Sequence, residues 1–161
     1  MISMMMYSAH VVLWGFVATI VMTTVMLGAQ GLGMSRLSLP FLFGTAVTSR
    51  LRMAYVIGYL LYGAGGWGFA FVYDAVFVSV GVRSWWLGAL VGAGHAIFLL
   101  AALMHLPLIH PRLSSDYDPP RSDRAIEPPG FLGLNYGRQT PLSTLIGHIA
   151  YGVILGVGLG M

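Results

Sequence analysis

The stretch that decides the fold is STLIGHIAYGVILGVGLGM, residues 143–161. It is apolar over a length close to the roughly 20 helical residues that a bilayer core requires. His148 nevertheless lies within it. An imidazole that faces lipid is energetically costly, so we expect His148 to face another helix. The stretch therefore predicts a transmembrane helix packed against further helices.

The rest of the chain shares this apolar character. Its 161 residues are 57% hydrophobic and 8% charged, and the mean hydropathy is +0.81. A soluble domain carries about 25% charged residues, so this chain has too little polar surface to cover a globule in water. The composition predicts an integral membrane protein surrounded by lipid. A formal net charge of +3 gives no indication of nucleic-acid binding.

Two missing residue types exclude several kinds of chemistry. The sequence has no cysteine, which excludes disulfides, thiolate metal sites, iron–sulfur clusters and covalently attached c-type haem. All eight basic residues are arginine, so Schiff-base chemistry is excluded as well. The sequence also lacks a His-Glu-x-x-His motif and any recognisable Ser-His-Asp signature. We therefore expect a protein that is not an enzyme.

Four apolar segments are predicted to cross the membrane within a single domain, residues 1–161. They cover about residues 7–32, 53–80, 85–109 and 142–159, each long enough for a spanning helix. The first lacks a basic n-region and is too long for a cleavable signal peptide. The predicted fold is an all-α membrane protein, a compact four-helix transmembrane bundle.

The connections between these segments predict the topology. Seven arginines lie in the first and third connections, residues 33–52 and 110–141, and one lies in the turn 81–84. The middle of 33–52 is apolar enough to lie along the membrane interface, and 110–141 is a proline-rich loop predicted to be extended. By the positive-inside rule, the two arginine-rich connections face the cytoplasm and both termini face outward.

Each segment carries small residues four positions apart, which stack on one helix face and let two backbones approach closely. The stripes are Gly15, Thr19 and Thr23; Gly66 and Ala70, continuing to Asp74; Gly88, Gly92 and Ala96; and His148, Gly152, Gly156 and Gly160. Three of the four end in or beside an ionisable residue. We therefore predict glycine and small-residue seams, a glycine zipper, that hold polar side chains inside the bundle.

His95 and His148 are the candidate cofactor ligands. At about 1.5 Å per helical residue, both fall near the bilayer midplane on different helices. Two such imidazoles are the minimum for axial ligation of a b-type haem, and one suffices for a chlorin pigment. The alternative is a pair of neutral histidines bonded across a seam to Thr19, Thr23 or a tyrosine. The leading expectation is that no cofactor binds.

Asp74 is the basis of a second functional alternative, beside cofactor binding. It follows Tyr73 in the outer half of the second segment, and a carboxylate within the membrane is a functional candidate. Together with His95 and His148 these residues predict a proton or ion path. The competing interpretation pairs Asp74 with Arg83, which requires the helix to end and the chain to turn back.

The end of the third connection carries polar residues directly before the last helix. Asn135, Tyr136 and Arg138 lie in PPGFLGLNYGRQTP, residues 128–141, either as a ligand site or as an interfacial loop that packs under the bundle. Pro141 suits the first turn of the last helix, with Thr140 as its N-cap.

Three blocks carry a resemblance to a known family: GFVATIVMTTVMLGAQGLGMSRLSLPFLFGT (15–45), HPRL (110–113) and EPPGFLGLNYGRQTPLSTLIGHIAYGVILG (127–156). They resemble a family of small bacterial four-span integral membrane proteins that has no assigned activity. The resemblance implies a four-span fold in the bacterial inner membrane and no particular reaction. It also implies a histidine in the second span near the position of Tyr62, where this chain departs from the family.

We expect a non-catalytic subunit or scaffold within a larger membrane complex, respiratory or photosynthetic, that packs against other membrane-protein subunits. The first alternative is a haem- or pigment-binding subunit that uses His95 and His148. The second is a small proton-coupled transporter that uses Asp74. The sequence shows no internal repeat, which argues against alternating access by a single chain.

Overall fold

The computed structural model describes residues 2–113 and 126–161 and consists of helices. The α-helices are α1 (Ile2–Gly31), α2 (Leu39–Val47), α3 (Leu51–Val80), α4 (Trp85–Leu103) and α5 (Thr140–Gly158), with short 3₁₀ turns at Leu106–Leu108 and Phe131–Tyr136. Four of them, α1, α3, α4 and α5, are long and apolar enough to cross a membrane. The predicted all-α fold with four helices long and apolar enough to span a membrane is confirmed, and no strand occurs within the described ranges.

The long helices pack in the order α3, α1, α5, α4. The most extensive contact joins α4 to α5, and α1 lies against both α5 and α3. Although α3 and α4 follow one another in the chain, their backbones approach each other at few points. A cleft therefore separates α3 from α4 on one side of the bundle.

The α4–α5 contact brings two backbones together. A Cβ atom on Gly88 would overlap the carbonyl oxygen of Gly152, and a Cβ atom on Gly152 would overlap the carbonyl oxygen of Gly88. One turn further along α4, Gly92 lies against the carbonyl group of His148 in the same way. Because the obstacle is backbone in each case, these positions require glycine for the helices to lie at this distance.

The short helix α2 is an element that the sequence analysis missed. Ser38 caps its first turn by accepting a hydrogen bond from a backbone N–H, and Pro40 lies in that turn, where the missing N–H of proline is harmless. The helix packs closely on α3, because Gly44 has no side chain to meet the carbonyl group of Ala54. The apolar middle of residues 33–52 thus folds against the bundle.

The third spanning helix ends earlier than predicted. The predicted segment runs to residue 109, whereas α4 ends at Leu103. Pro107 explains the difference, because its ring collides with the carbonyl group four residues earlier and it has no N–H to donate. Thr140, expected as the N-cap of the last helix, is its first residue instead, and Gln139 takes the cap position.

Side-chain contacts group the connections at two ends of the bundle. At one end, Arg83 in the α3–α4 turn donates to the hydroxyl group of Tyr7 in α1 (2.8 Å), and the His10 ring lies 3.0 Å from the carbonyl oxygen of Gly158. At the other end, Arg36 after α1 donates to the carbonyl oxygen of Asn135 (2.6 Å). The middle of the proline-rich loop, residues 114–125, lies outside the described residues.

Candidate functional site

His95 and His148 meet in the middle of the bundle. His95 is the eleventh of the 19 residues of α4, and His148 is the ninth of the 19 residues of α5. Their ring centroids are 4.7 Å apart and the ring planes are inclined by 81°, an edge-to-face contact. His148 is buried and His95 is partly exposed. The structure thus brings together the two histidines that the sequence places at similar depth.

Hydrogen bonds fix the orientation of both rings. The Nδ1 atom of His148 lies 2.8 Å from the carbonyl oxygen of Thr144. A carbonyl oxygen only accepts, so Nδ1 carries the proton and Nε2 keeps its lone pair. The Nδ1 atom of His95 lies 3.2 Å from the hydroxyl group of Tyr73. Tyr73 is buried, and among the described residues its hydroxyl group has no other hydrogen-bond partner.

A buried hydroxyl proton without an acceptor is costly, so Tyr73 donates to Nδ1 of His95. In neutral imidazole the proton of His95 then resides on Nε2. The two rings therefore present one donor, Nε2–H of His95, and one acceptor, Nε2 of His148. No hydrogen bond joins the two rings within the described part of the chain.

Aromatic side chains surround the pair. Phe69 stacks on His95 with the centroids 4.0 Å apart, and Tyr151 meets Tyr73 edge to face at 5.2 Å. The hydroxyl group of Tyr151 donates to the carbonyl oxygen of Gly66 (2.5 Å), which ties α5 to α3. The sequence does carry a signal for Tyr151, because it follows His148 by three residues and so shares its helix face.

Thr19 and Thr23, proposed from the sequence as partners of the histidines, make other bonds. Each hydroxyl group donates to the carbonyl oxygen four residues earlier in α1, from Thr19 to Gly15 (2.7 Å) and from Thr23 to Thr19 (2.6 Å). The histidines bond to Tyr73 and to the Thr144 backbone instead. The hydroxyl group of Thr144 is itself fully buried and has no partner among the described residues.

A cavity of about 90 Å³ opens beside the histidines in the cleft between α3 and α4. Its lining is mostly apolar and includes side chains from all five α-helices, among them Tyr62, Phe69, His95, Leu99, His148 and Tyr151. Tyr62, where the resemblance implies a histidine, therefore borders the same cavity as the two histidines of this chain.

The distance between the His95 and His148 rings is too short for both to ligate one haem. Two metal–imidazole bonds of about 2 Å each place the imidazole centroids of a doubly ligated haem roughly 6 Å apart. At 4.7 Å, His95 and His148 touch, and a porphyrin between them requires the rings to separate. Across residues 2–113 and 126–161, no group of three or more His, Asp or Glu side chains is close enough to hold a metal ion.

Asp74 belongs to a separate polar cluster near the end of the bundle. Arg83 lies 3.1 Å from its carboxylate, and the Tyr7 hydroxyl group also donates to it. After α3 ends at Val80, Gly81 adopts a left-handed conformation with φ of 74°, so that Arg83 returns along the helix. The residues of the predicted proton or ion path therefore fall into two separate groups, because Tyr73 bonds to His95 whereas Asp74 pairs with Arg83.

The loop before α5 closes the opposite end. The hydroxyl group of Tyr136 donates to the carbonyl oxygen of Glu127 (2.6 Å), and Arg36 forms an ion pair with the Glu127 carboxylate (3.1 Å). Burial, with a smaller contribution from the Glu127 carboxylate, raises the pKa of Tyr136, so its hydroxyl group remains a donor at neutral pH. Asn135 donates to a backbone carbonyl of the same loop, and Arg138 is exposed.

His110 is a structural residue that the sequence analysis left without a role. It is buried, and its Nε2 atom lies 2.9 Å from the carbonyl oxygen of Leu42 in α2. Its Nδ1 atom accepts from the backbone N–H of Arg112 (3.2 Å). The ring therefore joins the chain beyond α4 to α2. Its distance from Leu42 in the sequence explains why no local pattern indicates this contact.

Comparison with known proteins gives no assignment, because no protein-family model, no curated protein and no solved structure matches the chain.

Proposed function

We propose that this protein is a non-catalytic subunit of a larger membrane complex, respiratory or photosynthetic, in the bacterial inner membrane. The observation that carries the proposal is a groove of about 400 Å³ between α1 and α3. Its lining combines small residues, including Thr24, Gly63 and Ala64, with large ones such as Tyr59 and Trp67. Such a surface accepts the backbone of another transmembrane helix.

The surface of α1 beside this groove has the same character. Thr24 and Gly28 are exposed and lie four residues apart, on one helix face. The Thr24 hydroxyl group donates to a carbonyl oxygen of its own helix, so it presents no unpaired donor to lipid. A Cβ atom added at Gly28 or Gly63 would meet nothing within 4 Å. The chain's own packing therefore does not account for glycine at these positions, whereas a partner helix does.

The histidine geometry supports a non-catalytic role. His148 bonds to a backbone carbonyl group and His95 to a tyrosine, and neither bond activates a serine or threonine nucleophile. Asp74 is held by Arg83 and Tyr7, an arrangement that favours a structural ion pair over proton release. These contacts give the subunit role more support than the pigment-binding and transporter alternatives.

The location and orientation rest on the arginine distribution. The end of the bundle that contains Arg36 and Arg112 carries the described parts of the arginine-rich connections, and among the described residues the end with Arg83 carries one arginine. The positive-inside rule then orients the Arg36 end to the cytoplasm and both termini outward. The bacterial source follows from the family resemblance.

Native mass spectrometry of protein extracted from its own membranes tests the subunit role. The expected mass exceeds the 17.3 kDa of the chain by an amount that is not a multiple of it. Gly63→Leu, which fills the groove, is expected to abolish this species. Gly94→Leu is the matched control, because Gly94 is also an open glycine of a spanning helix but lies on α4. A monomer, a homo-oligomer or equal loss in both variants contradicts the proposal.

A further inference from the structure

We propose that the cavity between α3 and α4 binds a hydroxyl-bearing ring on an apolar tail, the chemistry of a membrane quinol. In this arrangement Nε2–H of His95 donates to the hydroxyl oxygen, and the hydroxyl proton is donated to Nε2 of His148. The inference goes beyond the subunit role and does not depend on it, since Tyr62 is the one residue that lines both the cavity and the groove.

The combination of one hydrogen-bond donor and one acceptor on the two histidines determines which ligand group fits. The Thr144 carbonyl makes His148 an acceptor at Nε2, and the Tyr73 hydroxyl group makes His95 a donor at Nε2. A hydroxyl group offers one donor and accepting lone pairs on a single oxygen atom, so it satisfies both nitrogens at once. A ketone oxygen accepts only and leaves His148 without a donor. The pair therefore favours the reduced, hydroxyl form of a quinone over the oxidised form.

The size of the cavity restricts the rest of the ligand. A dry apolar cavity of about 150 Å³ accommodates benzene in another protein. At about 90 Å³ this cavity is smaller, so a single six-membered ring enters it only in part and the remainder lies in the open cleft. Phe69 and Tyr151 provide aromatic surfaces beside this space, and aromatic rings pack favourably on one another. A macrocycle is far too large for it.

The opening of the cleft indicates the route by which the ligand enters. Phe43 and Phe69 line the cavity and are 36% and 38% exposed. They lie on α2 and α3, and the backbone of α3 approaches that of α4 at few points across the cleft. Because His95 is in the middle of a membrane-spanning helix, this side of the cavity faces the hydrocarbon core. A molecule dissolved in the bilayer can therefore reach the histidines laterally, with its apolar tail remaining in lipid.

The test titrates a decyl-substituted benzoquinol, under argon, into the full chain in phosphatidylcholine nanodiscs. The protein is labelled with ¹⁵N at histidine, and the ring-nitrogen shifts report binding. The Nε2 signals of His95 and His148 are expected to move saturably. The matching benzoquinone is expected to bind about tenfold more weakly, because one hydrogen bond is lost. Decanol, which has a hydroxyl group but no ring, is expected to give no saturable shift.

A pair of variants assigns the effect to the site. His148→Gln is expected to weaken quinol binding about tenfold. His105→Gln is the matched control: its Nδ1 atom also bonds a carbonyl group four residues earlier, that of Ala101 (3.1 Å), but the residue is exposed. Four outcomes overturn the proposal: no saturable shift, which leaves a bridging water as the partner of the pair; equal affinity for quinol and quinone; saturable shifts with decanol; or an equal effect of His105→Gln. The wild-type comparison of quinol with quinone stands even where a variant fails to fold.

Discussion

The α4–α5 contact predicts opposite effects for one substitution at two positions of the same helix. Replacing glycine with alanine inside a helix stabilises it by about 1 kcal/mol through intrinsic propensity. At Gly94 an added Cβ atom meets nothing within 4 Å, so Gly94→Ala is expected to raise the free energy of unfolding by up to this amount. At Gly88 the Cβ atom overlaps the carbonyl oxygen of Gly152.

The magnitude at Gly88 follows from contact distances. Carbon and carbonyl oxygen atoms in close contact are about 3.3–3.6 Å apart, so Gly88→Ala forces the two helices to separate by roughly 1.5 Å. Overpacking of this kind costs about 1–3 kcal/mol, and the backbone obstacle favours the upper end. After the gain in propensity, the net loss is about 2 kcal/mol, and the two variants differ by about 3 kcal/mol.

Titration of the detergent-solubilised protein with sodium dodecyl sulfate, followed by circular dichroism, measures these free energies of unfolding. Gly152→Ala is expected to match Gly88→Ala, because the two glycines face each other reciprocally. The double variant is expected to lose less than the sum of the single losses, since one separation relieves both overlaps. Equal stabilisation by Gly88→Ala and Gly94→Ala refutes the close backbone contact.

Three further substitutions test the polar contacts by the same unfolding assay. Asp74→Asn is expected to lower the free energy of unfolding by about 1–3 kcal/mol, because it weakens the pair with Arg83. Adding Arg83→Gln to this variant is expected to lower it little further. Additive losses in the double variant contradict a direct pair. His110→Phe is expected to cost about 2 kcal/mol, because the Arg112 N–H loses its acceptor and the Leu42 carbonyl group keeps only its bond from Thr45. It is also expected to speed amide exchange at Arg112; unchanged exchange there contradicts the contact. Tyr136→Phe is expected to cost about 1 kcal/mol without affecting exchange at Arg112.

The sequence predicts the helices well because membrane spans are defined by length and apolar composition, which are local properties. The helix boundaries that the prediction misses also have local causes: Pro107 ends α4 early, and Ser38 with Pro40 begins α2. The apolar residues of α2 do not by themselves predict a helix, because a nine-residue helix is too short to stand out by periodicity.

The site is predicted less completely, because its contacts join distant parts of the chain. The positions of His95 and His148 along their helices predict a similar depth in the membrane, but only the packing of α4 on α5 brings the rings together. The partners of the pair, Tyr73 and the Thr144 carbonyl group, depend on the rotation of each helix. A pattern of small residues indicates a packing face, and it does not specify which polar groups meet across it.

The central claim is that the fold brings His95 and His148 together in the middle of the bundle, and the small number of histidines allows a direct test. Protein labelled with ¹³C only at its five histidines and reconstituted in lipid bilayers is observed by solid-state NMR spin diffusion. At a centroid distance of 4.7 Å, a cross-peak between the two rings is predicted, and it disappears in both His95→Gln and His148→Gln. Absence of this cross-peak, or its survival in either variant, contradicts the account.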